Sequence, residues 1–490
     1  MPLICAIDQG TTGTTVILLD EKLNVRARVN REFPQIYPQP SWVEHDPEAI
    51  WQSTLDTIAL ATEQAGISPA DIAAVGITNQ RETTVVWDRK TGKPIHNAIV
   101  WQDRRTAGTI RQIRDEGNEA AVQRKTGLLL DPYFSGTKIA WILDQTGSRA
   151  RAEAGELAFG TIDTFLLWRL TGGKSHKTDV SNASRTLLMD LHTAEWDADM
   201  LRLFKVPAAL LPEITGNATE FGHVSGVPGL ADGTPICGIA GDQQAALFGQ
   251  TCFEVGDAKC TYGTGAFLLM NTGSMAVISE HRMLTTAAWK LDGKMTYALE
   301  GSAFIAGAVV QWLRDGLGFF SSAAEIEELA AKAGTSDGVV VVPALSGLGA
   351  PYWNPDARGV IWGMTRGTTR ANIAYAALEG IALQNVDILT AMENDLKRPL
   401  KELKVDGGAS ANNLLMQMQS DFLNRRIVRP AMLDTTALGA ALFAGLGSGI
   451  YSDLSDIQST WKADATFEPK MDNKQREEML RRWQEGIRRV

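Results

Sequence analysis

Apolar residues along the chain fall into short strand-like runs separated by segments of helical spacing. Leu3 to Ile7 and Val16 to Leu19 are two such runs, and Asp8-Gln9-Gly10-Thr11-Thr12-Gly13-Thr14-Thr15 between them predicts a hairpin with a Gly/Thr turn. Asp46-Pro47-Glu48 reads as a helix start, and Ile50, Trp51, Leu55, Ile58 and Ala61 carry an apolar face to about residue 65 that should pack on the first sheet. Ile72 to Thr78 predicts a buried strand, and Leu157 to Leu170 a strand running into a helix. From Pro207 to Thr234 glycine, proline and acids dominate, so mostly loop is expected. Ile236 to Ala240 is again strand-like, and Gly241-Asp242-Gln243-Gln244 turns it into an alanine-rich helix start.

The second half repeats this order. Ala258 to Met270 reads as strand, Gly263-Thr264-Gly265 turn and strand, with the spacing of residues 3 to 19. Leu403 to Val405 leads through Asp406-Gly407-Gly408-Ala409 into a helix bearing Leu414, Met418 and Phe422. Two related α/β domains are expected, residues 1–246 and 247–490, with a cleft between them.

Composition narrows the class. A chain of 490 residues, 44% hydrophobic and 21% charged, is too long for one core and ordinary for a globular protein. The net charge of -10 argues against a nucleic-acid surface, so any anionic ligand must be held locally. Cys5, Cys237, Cys252 and Cys260 lie in apolar contexts without a Cys-x-x-Cys, which predicts reduced thiols and neither disulfides nor zinc. The first residues are apolar but are cut by Asp8 and lack a basic leader, which predicts a first strand, no membrane span and a cytoplasmic protein.

Several turns carry candidate chemistry. A carboxylate at a strand-to-helix turn, Asp242, can serve as a general base, although a lone Gly-Asp there is more simply a helix cap. The Gly/Thr turns offer backbone N–H groups to phosphates, and Asp8 at a strand end is suited to hold Mg²⁺ through water. Adjacent Arg81 and Glu82 give one donor fork and one acceptor pair, which suit vicinal hydroxyls, while Trp101 and Tyr133 can face the C–H side of a small polyol. The glycines before Asn412 would admit a nucleotide against the backbone. Each feature also has a plainer reading: hairpin tip, surface ion pair, core aromatic or tight helix packing. No Walker P-loop is present, since Gly173-Lys174-Ser175 lacks the earlier glycine and reads as an exposed turn.

Taken together, Asp8-Gln9-Gly10-Thr11-Thr12, Gly76-Ile77-Thr78-Asn79-Gln80-Arg81-Glu82-Thr83, Asp131-Pro132-Tyr133-Phe134-Ser135-Gly136-Thr137-Lys138, Gly241-Asp242-Gln243-Gln244 and Asp406-Gly407-Gly408-Ala409 resemble the glycerol-phosphorylating branch of the FGGY carbohydrate kinase family. Gly359 to Met364, Asn372-Ile373 and Ala376 to Glu379 fit that family's C-terminal signature, and the likeness runs to about residue 450. The resemblance implies two ribonuclease H-like, actin-like ATPase domains, the first binding glycerol and the second nucleotide, and ATP-dependent phosphorylation of glycerol to sn-glycerol 3-phosphate by direct in-line transfer. It implies Asp242 as the base, with Arg81, Glu82, Tyr133 and Gln243 on glycerol and Trp101 and Phe267 as apolar walls. It places Thr11, Thr12, Gly13, Thr264, Gly307, Gln311, Gly408 and Asn412 on ATP, Asp8 near Mg²⁺, and the chain in a homo-oligomer, dimer or tetramer.

The chain departs from the family pattern at two places. Where the family commonly continues with Ser-Ser-Arg, this sequence has Gly13-Thr14-Thr15, so the cation expected near the phosphates is missing. Some family members are inhibited by fructose 1,6-bisphosphate through a Gly-Gly-Lys-Gly-Gly-Thr-Arg loop, whereas Gly222 to Thr234 here has no lysine or arginine and contains Asp232, so insensitivity is expected. A sister kinase acting on a pentulose or tetritol and a noncatalytic actin-like ATPase module are the alternatives. The residues from Thr466 onward are basic and carry no motif.

Overall fold

Two mixed sheets carry the molecule, and the computed structural model describes residues 2–490 of it. The first is built from β1 (Leu3–Gln9), β2 (Gly13–Asp20), β3 (Val25–Glu32), β4 (Ile72–Asn79), β5 (Ala218–His223) and β6 (Pro235–Gly241), in the order β5-β6-β4-β1-β2-β3. The second contains β7 (Ala258–Tyr262), β8 (Ala266–Gly273), β9 (Leu284–Leu291), β10 (Lys294–Ala303), β11 (Glu402–Asp406), β12 (Arg426–Pro430) and β13 (Ala463–Phe467), in the order β9-β10-β8-β7-β11-β12-β13. The helices that matter for the site are α1 (Pro47–Ala65), α2 (Ser135–Gln145), α3 (Ile162–Leu170), α4 (Val180–Ala183), α5 (Asp242–Gly249), α6 (Gly307–Asp315), α7 (Arg370–Leu396), α8 (Asn413–Leu423), α9 (Thr435–Gly447) and α10 (Asn473–Ile487).

The two sheets share one plan. In each, three antiparallel strands (β1, β2, β3; β7, β8, β10) are followed on the other side by two parallel ones (β4, β6; β11, β12). This is the duplication that the repeated strand, Gly/Thr turn, strand pattern predicts, in the ribonuclease H-like form that the family resemblance implies. Helix α1 starts where expected, with the Asp46 carboxylate accepting the Glu48 N–H at 2.9 Å, ends at left-handed Gly66, and packs on β2 and β3.

Helix α9 ties the halves together. It comes from near the end of the chain yet packs on β1, β4 and β6 of the first sheet and on α5. Its sequence is apolar on every side because it is covered on every side. Contact is backbone to backbone: a Cβ at Gly76 would overlap the Ala440 carbonyl, and one at Gly439 would overlap that of Ala245.

Two segments hold structure that their sequence does not announce. The segment from Pro207 to Thr234 is mostly loop, as expected, but residues 218–223 within it form β5, antiparallel to β6 at the sheet edge. Only Phe221 of that strand is buried, so it lacks an alternating apolar face. The motif-free tail beyond Thr466 forms α10, which buries Trp483 completely, and the indole donates to Asp387 of α7 at 2.6 Å. Burying an indole of roughly 200 Å² contributes on the order of 5 kcal/mol before ordering costs. All four cysteines are free and buried, as expected.

Candidate active site

Strand register assembles the site at one edge of the first sheet. Asp8 of β1 lies beside Thr78 of β4, which lies beside Ala240 of β6; the next residues, Gln9, Asn79 and Gly241, are likewise in line. The chain leaves these ends as Gln80-Arg81-Glu82 and as Asp242, so the acid, the arginine and the hairpin converge. Asp242 is the first residue of α5, with Gly241 at the cap position, so the helix-cap reading does not hold. Its Oδ1 accepts the Gln243 N–H at 2.7 Å and pairs with Arg81 Nε at 3.0 Å, which leaves Oδ2 without a protein partner on a side chain 29% exposed. Behind the turn, Ser181 Oγ of α4 accepts the Gly241 N–H at 2.9 Å and fixes where the carboxylate points.

Arg81 and Glu82 belong to a buried network rather than a surface pair. Arg81 donates from Nη1 and Nη2 to Glu300 of β10 at 2.6 and 2.9 Å. Arg185 donates to Glu82 Oε1 at 2.7 Å and to Glu300 Oε1 at 3.0 Å. Glu82 has φ of 62°, a strained conformation for a side-chain-bearing residue, and its carbonyl is held by the Ser135 hydroxyl of α2 at 3.0 Å. Gln243 is gripped by the buried Lys259 of β7, whose ammonium also donates to Thr261 Oγ1 and to the Phe267 carbonyl.

Electrostatics follow from this packing. Burial raises the Asp242 carboxyl above the usual carboxylate range, against the pull of Arg81 and Lys259. Burial, together with Asp242 and Asp434, pushes Asp8 up to about 7. Lys138 of α2 is fully buried, donates to the Tyr133 carbonyl at 2.7 Å, and is pushed by burial down to about 7.

The expected aromatic walls come together. Trp101 packs edge-on against Tyr133 and Phe267, with ring centroids 5.7 and 6.2 Å apart. Trp101 Nε1 donates to Thr11 Oγ1 at 2.9 Å, which joins this wall to the first hairpin turn, where Thr12 is exposed and Gly13 is pressed against the Arg31 carbonyl. The Arg185 guanidinium lies over the Tyr133 ring at 5.7 Å.

The second hairpin turn gathers the remaining candidates. The Gly307 N–H opens α6 by donating to the Gly263 carbonyl at 3.0 Å, and the Ala306 and Ala308 N–H groups donate to the Thr264 carbonyl. Gln311 is exposed one turn further along α6. Gly407 abuts the Tyr262 backbone, Gly408 beside it faces open space, and Asn412 caps α8 through Oδ1, which leaves its amide nitrogen as the polar edge.

The cation lacking at Thr15 has a counterpart on the next strand. Thr15 Oγ1 accepts from Asn30, and two residues away on the same face of β3 Arg28 forms a two-point pair with Asp434, both contacts at 2.9 Å. Its charge reaches Asp8 and lowers that carboxyl. Part of the Gly222 to Thr234 segment lines a cavity of about 660 Å³ whose charged residues are Lys174, Lys177, Glu213 and Asp232. Among the described residues no three His, Cys, Asp or Glu side chains cluster to hold a metal ion by themselves. No helix among them is long and apolar enough to cross a membrane.

Sequence reading missed Arg185, Lys259 and Glu300. Lys259 is the one charge in the short strand β7, and Glu300 the one charge in the buried stretch Tyr297 to Ala303 of β10, a pattern that signals a buried charge with a distant partner.

The chain has many relatives among known proteins. The chain matches the FGGY family of carbohydrate kinases, N-terminal domain, over residues 3–249 and its C-terminal domain over residues 258–448. It is 55% identical over 489 residues to the glycerol kinase of Bdellovibrio bacteriovorus, covering 99% of both chains, and 56% identical over 490 residues to that of Myxococcus xanthus, again covering 99% of both. The crystal structure of Plasmodium falciparum glycerol kinase with ADP superposes with a TM-score of 0.93 at 39% identity, covering 100% of this chain and 98% of that one. A xylulose kinase from Lactobacillus acidophilus shares the fold, with a TM-score of 0.89 at 23% identity over 100% of this chain and 97% of that one.

Proposed function

The chain belongs to the FGGY family of carbohydrate kinases, and from that premise we propose that it transfers the terminal phosphoryl group of ATP to glycerol, forming sn-glycerol 3-phosphate. The observation that carries the reading is the convergence of one carboxylate oxygen without a protein partner, on Asp242, with a buried hydroxyl-matching cluster and an aromatic wall. The relatives named glycerol kinase at more than half identity over nearly the whole chain supply the acceptor.

Phosphoryl transfer needs mainly positioning and charge neutralisation. Glycerol lies against Trp101, Tyr133 and Phe267, with its hydroxyls toward Arg81, Glu82 and Gln243. Asp242 Oδ2 accepts the proton of the attacking hydroxyl as the oxygen reaches phosphorus in line with the leaving ADP; no covalent intermediate on the protein is required. Residues 1–246 hold the acceptor. Residues 247–490 hold the nucleotide, with Thr264, Gly307, Gln311, Gly408 and Asn412 around it and Thr11, Thr12 and Gly13 toward its phosphates. Asp8, whose carboxyl is pushed up partly by neighbouring acids, fits a divalent cation held through water. Bound Mg²⁺ would neutralise phosphate charge there. Closure of the halves excludes water, which otherwise competes as acceptor.

Coupled ADP release across glycerol, dihydroxyacetone, xylulose and ribulose tests the assignment. Glycerol should give the highest kcat/KM; a pentulose preferred over glycerol would move the chain to a sister activity.

A further inference from the structure

Glu300 reaches the acceptor pocket from the other half of the molecule. It stands on β10 opposite Leu269 of β8, which in turn lies opposite Lys259 of β7, so the second sheet aims Glu300 and Lys259 at the helix that begins with Asp242. Its side chain is almost fully buried and has three donors: Arg81 Nη1, Arg81 Nη2 and Arg185 Nη2. Burial alone would raise its carboxyl, yet Arg185 and Arg81 pull it down to about 2, so it is an anion at every working pH.

The geometry assigns Glu300 as a positioning residue that occupies both Arg81 Nη groups and thereby limits Asp242 to a single contact with that guanidinium, at Nε. A buried guanidinium must be paired. Without Glu300 the remaining acceptors near Arg81 are Gln244 Oε1 at 3.2 Å, Glu82 Oε1 at 3.9 Å, which Arg185 already holds at 2.7 Å, and the nearer Asp242 carboxylate at 3.0 Å, so Asp242 would be drawn into a two-point pair that takes up Oδ2. Glu300 therefore keeps the base open, and through Arg185 it also holds Glu82. The inference rests on the phosphoryl-transfer reading with Asp242 as base.

The test compares the full-length wild type with Glu300→Gln and Glu300→Asp, measuring glycerol kcat and KM, the pH dependence of kcat/KM, and ADP affinity by calorimetry. In Glu300→Gln kcat should fall about 10²-fold, the scale of a misplaced reacting group. Glycerol KM should rise while ADP affinity stays within about twofold, since nothing on the nucleotide side has moved. The groups facing Asp242 are Arg81, Lys259, Glu300 and Asp8; with one anion removed the cations act less opposed, so the acid limb should move down by about one pH unit. Glu300→Asp keeps the charge but reaches only one arginine, so it should restore the acid limb while kcat stays about tenfold low. Wild-type kinetics in either variant overturn the proposal, as does a loss of kcat matched by equal losses of ADP affinity and thermal stability with an unmoved limb. If Glu300→Gln fails to fold, Glu300→Asp decides by the same kcat and ADP criteria. A wild type without glycerol-dependent ADP release would instead refute the proposed function, before any variant is compared.

Discussion

Replacing Asp242 by Asn keeps the shape of the side chain and removes its ability to take a proton. Both contacts that orient the carboxylate, from the Gln243 N–H at 2.7 Å and Arg81 Nε at 3.0 Å, fall on Oδ1. An asparagine carbonyl placed there keeps the Gln243 hydrogen bond but not the charge pairing with Arg81, and the amide nitrogen then stands where Oδ2 received the acceptor hydroxyl. Loss of a positioned base lowers turnover by roughly 10²–10⁴-fold, a barrier increase of about 3–5 kcal/mol. Stability should move the other way. Burial raises the Asp242 carboxyl in the folded protein, so its contribution is complete below the unfolded carboxylate pKa and is lost as pH rises through the folded value. The neutral variant escapes that loss and should melt no lower than wild type at pH 8. Coupled ADP release gives turnover, calorimetry gives ADP affinity, and a melting curve shows that the fold persists. Turnover within a factor of about three of wild type, in a variant that binds ADP and melts normally, would refute the assignment of Asp242 as base.

Three further outcomes are expected. Losing one glycerol hydroxyl removes a hydrogen bond to the Arg81, Glu82 and Gln243 cluster in a buried setting, at a cost of roughly 1–3 kcal/mol, so 1,2-propanediol should show a kcat/KM about 10–100-fold below that of glycerol; equal values would remove these residues from the pocket. Arg28→Ala should weaken MgATP binding by about fivefold, with the gap closing in high salt because the side chain is half exposed. Unchanged affinity by calorimetry would mean that Arg28 serves Asp434 alone. Glu379 of α7 is buried and pushed by that burial from 4.5 to about 7, so its contribution to stability is complete below pH 4.5 and lost as pH rises through 7. Glu379→Gln should therefore be more stable than wild type at pH 8 by up to about 3 kcal/mol and nearly equal to it at pH 5; urea unfolding that shows no gain at pH 8 would mean that Arg482 already stabilises the charged form.

Local features were legible in the sequence and long-range pairings were not. The two Gly/Thr hairpins, the Asp46-capped helix and the Asp242 turn each rest on residues a few positions apart, where turn chemistry and apolar periodicity act directly. The buried charge network joins Arg81 to Glu300 across 219 positions and to Gln244 across 163, and no local rule pairs them. Helix α9 shows no periodicity because neighbours cover it all round, so its place against the first sheet could not be read from its own residues. The exposed edge strand β5 was hidden for the opposite reason, having almost nothing to bury. The missing hairpin cation at Thr15 was a correct observation about the sequence, yet the fold brings Arg28 to the same sheet face from the adjoining strand.

The central claim is that this chain couples ATP cleavage to phosphorylation of glycerol rather than hydrolysing ATP as an actin-like module would. Product-resolved turnover tests it most directly: the purified protein is incubated with MgATP, with and without glycerol, and ADP, inorganic phosphate and glycerol phosphate are each quantified by ³¹P NMR. Equal amounts of ADP and sn-glycerol 3-phosphate, with little inorganic phosphate and little ADP when glycerol is omitted, are predicted. ADP matched by inorganic phosphate at the same rate with or without glycerol would contradict the account.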